Sequence, residues 1–285
     1  MRRRMLISAV VGAGMYLATP FALKRAFAPP RREIPHTPRD LGLPEEEVWI
    51  DGANGTRLHA WWVPVERRAP AVIVLHGWGG NASLMLPIGP HIHRAGFHAL
   101  FLDARNHGLS EHDDFSSMPR FAEDLEAAFR WLEGRDDVAD IGIVGHSVGA
   151  GAAILAASRG LPAKAVVSVS AFAHPGELMR AQGPLARLPR PIRWWVLYHV
   201  ERMIGFRFDE IAPRNRIGDV TAPLLLVHGD SDPVVPVSDA YELADRMRER
   251  RLIVVPGGGH SDLEPFQPYL PQVLEFLSEQ LEARV

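Results

Sequence analysis

The feature that most constrains this fold is a glycine-flanked serine between an apolar run and a small-residue run. Residues 141–144 have the pattern of a buried strand, and residues 150–158 are alanine-rich and helical in propensity. Between them stands Gly145-His146-Ser147-Val148-Gly149, a G-x-S-x-G pattern. A sharp strand-to-helix turn of this kind holds a serine hydroxyl exposed on strained backbone, and its glycines avoid collisions that a Cβ would make. The context therefore favours a functional turn over a glycine-rich packing turn.

Apolar β-type runs alternate with helical patterns over most of the chain. This alternation predicts an α/β fold with a mainly parallel sheet and helices on both faces. The expected strands are residues 71–75, 97–102, 141–144, 165–169, 224–227 and 252–255, and the expected helices are residues 84–95, 121–132, 150–158, 238–248 and 266–281.

Two stretches depart from this alternation. Residues 48–50 and 58–65 flank a turn at 51–55 and read as an N-terminal antiparallel hairpin. The proline-rich residues from about 172 to 219 interrupt the rhythm and are interpreted as a small cap insertion above the carboxyl ends of the strands, the edge where ligands bind in open α/β sheets.

Composition excludes several kinds of chemistry. The 285 residues can bury a sizeable core, and they are 47% hydrophobic with a formal net charge of −3. That balance is ordinary for a globular protein and gives no reason to expect nucleic-acid binding. The chain has no cysteine, which excludes disulfides, thiol catalysis and cysteine-based zinc sites.

The N-terminal residues 1–27 differ in kind from the rest. Arginines 2–4 precede an uncharged run, 5–23, and Lys24 and Arg25 follow it. A helix of that length spans roughly 28 Å, close to the hydrocarbon core of a bilayer. The pattern favours a single-pass transmembrane anchor at the N-terminus, and hence a membrane-anchored protein.

Two alternatives to the anchor stay open, and so does its orientation. Ala26-Phe27-Ala28 matches a signal-peptidase site, and a cleaved signal would make the protein periplasmic or secreted. A buried soluble helix is the third interpretation. Because basic residues stand on both sides of the uncharged run, the positive-inside rule does not decide the side of the membrane.

Residues 28–45 are rich in proline and arginine. They are interpreted as an extended tether without regular structure that joins the anchor to a domain at 46–285. A chain beginning near Glu46 is therefore expected to be soluble and active.

Four motifs in the domain occur in a fixed order. They are His76-Gly77-Trp78-Gly79-Gly80-Asn81, Asp103-x-Arg105-x-His107-Gly108-x-Ser110, Gly145-His146-Ser147-Val148-Gly149, and Gly229-x-x-Asp232-x-x-Val235-Pro236 followed by Gly259-His260. On these motifs the domain resembles an α/β-hydrolase, and is similar to the membrane-tethered and lysophospholipase-like serine hydrolases. One departure is Asn106, where relatives often have glycine; it lies in a structural turn.

The chemistry of a serine nucleophile directs the choice of its partners. A serine hydroxyl needs a base that titrates near neutral pH, which points to histidine. His260 fits best among the 13 histidines because it follows the last strand in the flexible loop 257–259. The imidazole in turn needs an orienting carboxylate. Asp232 and Asp230 compete for that role, and the resemblance favours Asp232.

The remaining site residues are assigned in the same way. The backbone amides of Trp78 and Val148 are the expected oxyanion donors. His76 and His228 close strands beside glycines and are interpreted as structural, and Asp103 with Arg105 as a buried pair that locks a turn. His91 and His93 lie two apart on a helix and do not face one site, so no metal site is expected.

The predicted function is a serine hydrolase that cleaves an acyl ester through an acyl-enzyme, with Ser147, Asp232 and His260 as its catalytic residues and no cofactor. The substrate is expected to be a small acyl compound, and a lipid-like one if the apolar cap residues bind it; these residues are Trp194, Trp195, Val196, Leu197, Met203, Ile204 and Phe206. The alternative is that they only pack the cap onto the domain.

The rival functions are an acyltransferase or peptidase with the same triad, and a non-catalytic scaffold at the membrane. The oligomeric state is left open.

Overall fold

A computed structural model describes residues 21, 23–25 and 28–281 of the chain. Its centre is an eight-stranded sheet with the strand order β1-β2-β4-β3-β5-β6-β7-β8. The strands are β1 (Glu46–Asp51), β2 (Arg57–Val63), β3 (Ala69–Leu75), β4 (His98–Leu102), β5 (Val138–His146), β6 (Ala165–Val169), β7 (Leu224–Gly229) and β8 (Leu252–Val255).

The pairing pattern confirms the predicted fold class. Strands β3 to β8 pair in parallel, whereas β2 pairs antiparallel with both β1 and β4. The strands β3, β4 and β7 are buried on both faces, which explains why each forms a continuous apolar run in the sequence, whereas β8 at the edge of the sheet is only partly buried. Their carboxyl ends meet at one edge, and the loops that follow β3, β5, β7 and β8 converge there.

Helices cover both faces of the sheet and enclose two apolar cores. The helices are α1 (Ala82–Met85), α2 (Gly89–Arg94), α3 (Met118–Glu133), α4 (Val148–Ser158), α5 (Pro175–Ala181), α6 (Gly183–Ala186), α7 (Arg190–Ile204), α8 (Phe208–Ile211), α9 (Pro213–Arg216), α10 (Val237–Ala244) and α11 (Leu270–Gln280). One core lies between the sheet and α3, α4 and α10. The other lies on the opposite face, beneath α2 and α11.

Proline shortens two of the predicted helices. The stretch predicted as one helix over 84–95 is divided into α1, a 3-10 turn Leu86–Ile88 and α2, because Pro87 and Pro90 each lack the amide that a continuous helix requires. The last helix begins at Leu270 rather than at 266, since Pro268 and Pro271 allow only a 3-10 helix, Glu264–Tyr269, before it.

Residues 172–219, predicted as a cap, contain no strand. They form the short helices α5 to α9 and a 3-10 turn, Ile217–Asp219. The longest of them, α7, ends at Gly205, which adopts a left-handed conformation with φ of 79°. This group of helices lies beyond the carboxyl edge of the sheet, and several of its apolar side chains face Ser147 across a cavity described below.

The proline-rich segment lies against the domain instead of running free of it. It contains a 3-10 helix, Pro38–Leu41, which differs from the expectation of no regular structure. The guanidinium of Arg31 donates hydrogen bonds to the carbonyl oxygens of Gly108 and Ser110, and Leu43 is buried in the core beneath α2. The segment therefore adds packing to the hydrolase domain although it contributes no strand.

The predicted transmembrane anchor, residues 1–27, lies mostly outside the described residues. Within the part of the chain that the structure describes, no helix is both long and apolar enough to cross a bilayer. The anchor and its orientation stay predictions.

Candidate active site

Ser147 stands at a sharp turn between β5 and α4, as the G-x-S-x-G pattern predicts. Its backbone has φ of 55° and ψ of −115°, a region that non-glycine residues seldom adopt. A Cβ on Gly145 would lie 2.5 Å from the carbonyl oxygen of Gly149, and a Cβ on Gly149 would lie 2.5 Å from the carbonyl oxygens of Leu75 and His76. Glycine at both positions is thus a steric requirement of the turn.

Ser147, His260 and Asp232 form a continuous chain of hydrogen bonds. The Ser147 hydroxyl lies 3.0 Å from Nε2 of His260, and Nδ1 of His260 lies 2.7 Å from Oδ2 of Asp232. This geometry corresponds to an Nδ1–H that donates to the carboxylate and a free Nε2 lone pair that accepts from the hydroxyl. The structure therefore brings together the three residues that the sequence predicted.

The Asp232 carboxylate is held from two sides. Its other oxygen, Oδ1, accepts hydrogen bonds from the backbone amides of Val234 and Val235, both at 2.8 Å. Burial acts to raise the pKa of Asp232, but the hydrogen bonds from His260, Val235 and Val234 outweigh burial and lower the pKa below its ordinary value. The carboxylate stays ionised and keeps a fixed direction toward His260.

Asp230, the competing carboxylate, has a different role. Its Oδ1 accepts hydrogen bonds from the amide of Gly257 at 2.7 Å and from the hydroxyl of Ser231 at 2.9 Å. It stabilises the start of the loop that carries His260 but does not contact the imidazole. His228 lies nearby, and its Nε2–H donates to the carbonyl of Val235 at 2.9 Å, which agrees with the predicted structural role.

The loop after β3 lies directly against Ser147. A Cβ on Gly77 would stand 3.0 Å from the Cβ of Ser147. The amide of Gly79 donates to Nε2 of His107, and that of Gly80 donates to the carbonyl of Gly77. The amide of Trp78, directly before Gly79, donates to no acceptor among the described residues. The amide of Val148 is at the first residue of α4, where no helical carbonyl can accept from it. Both positions suit the predicted oxyanion donors, which stay a prediction.

His146, which the sequence suggested only as the variable position of the turn, contacts the base directly. Its Nε2 donates to the backbone carbonyl oxygen of His260 at 2.7 Å. Burial is the main cause that lowers the pKa of His146 to about 4, so the ring is neutral at physiological pH. No sequence signal predicts this contact, because the two residues are 114 positions apart.

Two buried histidines support the loop after β3. Nδ1–H of His76 donates to the carbonyl of Gly77 at 2.7 Å, while its Nε2 accepts from the amide of Ala104 at 3.1 Å. In the same way Nδ1–H of His107 donates to the carbonyl of Arg105, and its Nε2 accepts from Gly79. Because each ring must keep one nitrogen unprotonated, these contacts require neutral imidazoles, and burial lowers both pKa values, that of His107 to about 3.

Asp103 and Arg105 are buried as predicted but belong to separate networks, which corrects the prediction that they pair. Asp103 accepts from Nδ1 of His59 at 2.8 Å and from the amide of Ala82 at 2.7 Å. Arg105 donates to Asp124 instead. Asn106 in the same turn has φ of 66°, a left-handed conformation that asparagine tolerates, which explains how it can stand where glycine is usual.

A cavity of about 1790 Å³ opens over Ser147 and His260. This exceeds the roughly 300–1,000 Å³ of common small-molecule pockets. Of the cap residues proposed to bind an acyl group, Val196, Met203 and Ile204 line it, whereas Trp194, Trp195, Leu197 and Phe206 do not. Some of the apolar cap residues therefore face the cavity, and others pack or face outward; the binding of an acyl group by the cap stays a prediction.

The cavity continues on the other side of Ser147, between α2 and α11. Its lining there includes Ile88, Ile92, Val273 and Leu274. Asp262 is the one carboxylate among the described residues that line the cavity. The arrangement can therefore activate a hydroxyl inside a largely apolar space, and no group of three or more potential metal ligands occurs within the described residues.

Two family models match adjoining parts of the chain. A model described as serine aminopeptidase, S33 matches residues 66–204, and one described as TAP-like protein matches residues 204–278. The two matches meet at the end of α7, and together they include all of the predicted catalytic residues.

Similar proteins span nearly the whole chain. An uncharacterized protein of Mycobacterium tuberculosis is 32% identical over 241 residues, which are 82% of this chain and 79% of that protein. The alpha/beta hydrolase domain-containing protein WAV2 of Arabidopsis thaliana is 26% identical over 95% of this chain and 92% of its own length. The structure of the Pyrococcus furiosus esterase Pf2001 superposes with a TM-score of 0.73 at 24% identity, and covers 89% of this chain and 100% of that chain.

Proposed function

The chain belongs to the α/β-hydrolase superfamily, and from its site we propose that this hydrolase cleaves carboxylic esters by way of an acyl-enzyme. One observation carries the proposal: Ser147, His260 and Asp232 are joined by hydrogen bonds at the edge of a large apolar cavity. An apolar cavity suits an acyl chain, while a polar rim at the serine suits the ester group that is cut.

The proposed acylation step uses the hydrogen-bonded chain of Ser147, His260 and Asp232. His260 Nε2 removes the proton of the Ser147 hydroxyl while Oγ attacks the ester carbonyl carbon. The carbonyl oxygen becomes an oxyanion, which the amides of Trp78 and Val148 stabilise. When the tetrahedral adduct collapses, the C–O bond to the alcohol breaks and His260 returns the proton to the leaving alkoxide.

Deacylation repeats these steps with water. His260 removes a proton from a water molecule whose oxygen attacks the acyl carbon, and the proton then returns to Oγ of Ser147 as the carboxylic acid leaves. Asp232, ionised because of its lowered pKa, stabilises the imidazolium in both halves of the cycle. The reaction needs no metal or organic cofactor.

A fluorophosphonate probe tests the proposed nucleophile. We expect the full chain to react with the probe at Ser147 and to hydrolyse p-nitrophenyl esters, with kcat/KM rising as the acyl chain lengthens. Ser147→Ala is expected to lose labelling and to lower ester hydrolysis by about 10³-fold or more. Labelling that persists in Ser147→Ala would place the nucleophile elsewhere and contradict the proposal.

A second candidate, an aminopeptidase, is supported by the description of the family model that matches residues 66–204. Such an enzyme must bind the ammonium group of its substrate, and the exposed Asp262 is placed to do so, two residues after His260. Comparing an aminoacyl p-nitroanilide with a p-nitrophenyl ester separates the two candidates. Faster turnover of the anilide, lost in Asp262→Asn, would favour the peptidase; we expect the ester to be cleaved faster and Asp262→Asn to leave that rate unchanged.

A further inference from the structure

The outer face of α7 exposes aromatic side chains and arginines in one row. Arg190, Trp194, Tyr198 and Arg202 stand four residues apart, on one face of the helix, and all are exposed. Trp194 is 69% and Tyr198 41% exposed, and their rings stack with centroids 5.8 Å apart. Large side chains of this kind are rarely grouped on a surface that faces only water.

The charge around this row is predominantly positive. Residues 182–207 contain five arginines, at positions 187, 190, 193, 202 and 207, and a single carboxylate, Glu201. Glu201 accepts a hydrogen bond from the amide of Phe208 at 2.8 Å. Between described residues, none of the five guanidinium groups forms an ion pair; other arginines, such as Arg214, do. Within the described part of the chain the row therefore has no carboxylate partner and can meet anions from outside.

The inner face of the same helix packs against the rest of the protein and lines its cavity. Val196, Val200 and Met203 line the cavity above Ser147. Leu197 and Val200 also pack with Phe208 and Leu23 in a small apolar cluster. Leu23 is the last residue of the uncharged run 5–23, and that run therefore ends in contact with α7. Phe21, two residues earlier in the run, is 76% exposed.

The exposed aromatic row, the surrounding arginines and the contact with Leu23 together favour a membrane surface as the partner of the outer face. Tryptophan and tyrosine carry an apolar body with a polar tip, and arginine an apolar stem with a charged head, the combination found where a helix lies in a membrane interface. The arginines, which form no ion pair with any described residue, favour anionic headgroups, and the run 5–23 ends beside the helix. We propose that α7 rests in the interface of a bilayer that contains anionic lipid, with Trp194 and Tyr198 among the headgroups.

This placement has a consequence that rests on the proposed function. The interface and the cavity would be separated only by α7, whose diameter with side chains is about 10–12 Å. A lipid-like ester would then pass from the bilayer into the cavity around one helix, without crossing bulk water. The outer face of α7 would thus affect how readily a substrate enters the cavity from the bilayer, and not the rate of bond cleavage at Ser147.

The absence of native cysteine allows a direct test on the full chain. Single variants Trp194→Cys and Tyr198→Cys are labelled with an environment-sensitive fluorophore and reconstituted in phosphatidylcholine vesicles that contain phosphatidylglycerol. The matched control is Lys164→Cys, an exposed position before β6 at the opposite edge of the sheet. We expect a lipid-borne quencher to quench the labels at 194 and 198 but not the label at 164.

Each other outcome overturns the proposal. Labels at 194 and 198 that stay unquenched in vesicles carrying the chain would show that α7 does not touch the bilayer. Equal quenching at all three positions would show contact without preference for α7. Shielding of the 194 label in vesicle-free solution, increasing with protein concentration, would identify a second copy as the occupant.

A paired activity measurement separates docking from the proposed function. The double variant Trp194→Ser with Tyr198→Ser is expected to hydrolyse a soluble short-chain p-nitrophenyl ester at the unaltered rate. Its rate on an ester embedded in anionic vesicles should fall by about five- to tenfold, as expected for losing the partial burial of two aromatic rings. Quenching at 194 without any ester hydrolysis would reject the function alone, and ester hydrolysis without quenching would reject the docking alone.

Discussion

The Nε2–H of His146 donates to the backbone carbonyl oxygen of His260 over 2.7 Å, and their rings lie with centroids 5.1 Å apart. This bond joins the turn that carries Ser147 to the loop that carries the proposed base. The loop includes Gly257, Gly258 and Gly259, whose backbone freedom gives no fixed position to the imidazole. We therefore expect His146 to act as a positioning residue for His260.

His146→Leu is expected to lower kcat for ester hydrolysis by about tenfold with little change in KM, since it removes one hydrogen bond of about 1–1.5 kcal/mol that holds the base. His146→Gln, whose amide can still donate, should recover part of the rate. Steady-state kinetics on one p-nitrophenyl ester measures both variants. A merely structural role would instead give equal kcat in His146→Leu and wild type, with a lower thermal midpoint.

Asp232→Asn is expected to lower kcat by several orders of magnitude, because the imidazole loses the anion that orients it and stabilises its cation. Asp230→Asn is the matched control, two residues away, whose carboxylate binds Gly257 and Ser231 rather than His260. It should lose less than tenfold in kcat and show a modest loss of stability. If Asp230→Asn proved the more damaging for kcat, Asp232 would not be the orienting carboxylate.

The free energy of unfolding is expected to fall as the pH is lowered below about 6.5. His76, His107 and His146 have pKa values in the folded chain below the ordinary value of 6.5, to about 3 for His107 and about 4 for His146. The unfolded chain therefore binds protons that the folded chain excludes, so stability is full above pH 6.5 and is lost as the pH falls toward the folded pKa values. Each histidine adds a slope of up to about 1.4 kcal/mol per pH unit.

Denaturant unfolding between pH 7 and pH 4 measures this slope. His107→Gln should reduce the slope by the contribution of about one bound proton, which is up to about 1.4 kcal/mol per pH unit. The variant His112→Gln, at an exposed position, should leave the slope unchanged. A stability curve that is flat through this window in the wild type would show that the three imidazoles are protonated in the folded chain, against their hydrogen bonds.

Removing the proline-rich segment is expected to weaken the hydrolase domain. A chain that begins at Glu46 loses the two hydrogen bonds from Arg31, the burial of Leu43 and the packing of Ile34. Together these contribute about 3 kcal/mol or more. We expect it to remain soluble and active, with a thermal midpoint about 10 °C below that of a chain beginning at Ala28. Equal midpoints would show that the segment is a passive tether.

Much of the fold followed from the sequence because its signals are local. Continuous apolar runs identify strands buried on both faces, and the alternation of strands and helices requires parallel pairing. The turn at Ser147 has an equally local signature, the G-x-S-x-G pattern, although the contacts that require Gly149 are with Leu75 and His76 at the end of β3. The order of Ser147, Asp232 and His260 along the chain, together with the family resemblance, then suggested the catalytic set.

Only the tertiary structure decided the contacts between distant segments. Asp230 and Asp232 are equivalent by residue type, and the direction of one loop determines which of them receives Nδ1–H of His260. His146 and His260 meet across 114 positions, and the cap helix divides its apolar residues between the cavity and the outer surface. Sequence patterns indicate which side chains prefer burial. The residue that each buried side chain contacts depends on how separate helices and strands pack, because packing determines distances between segments that periodicity does not specify.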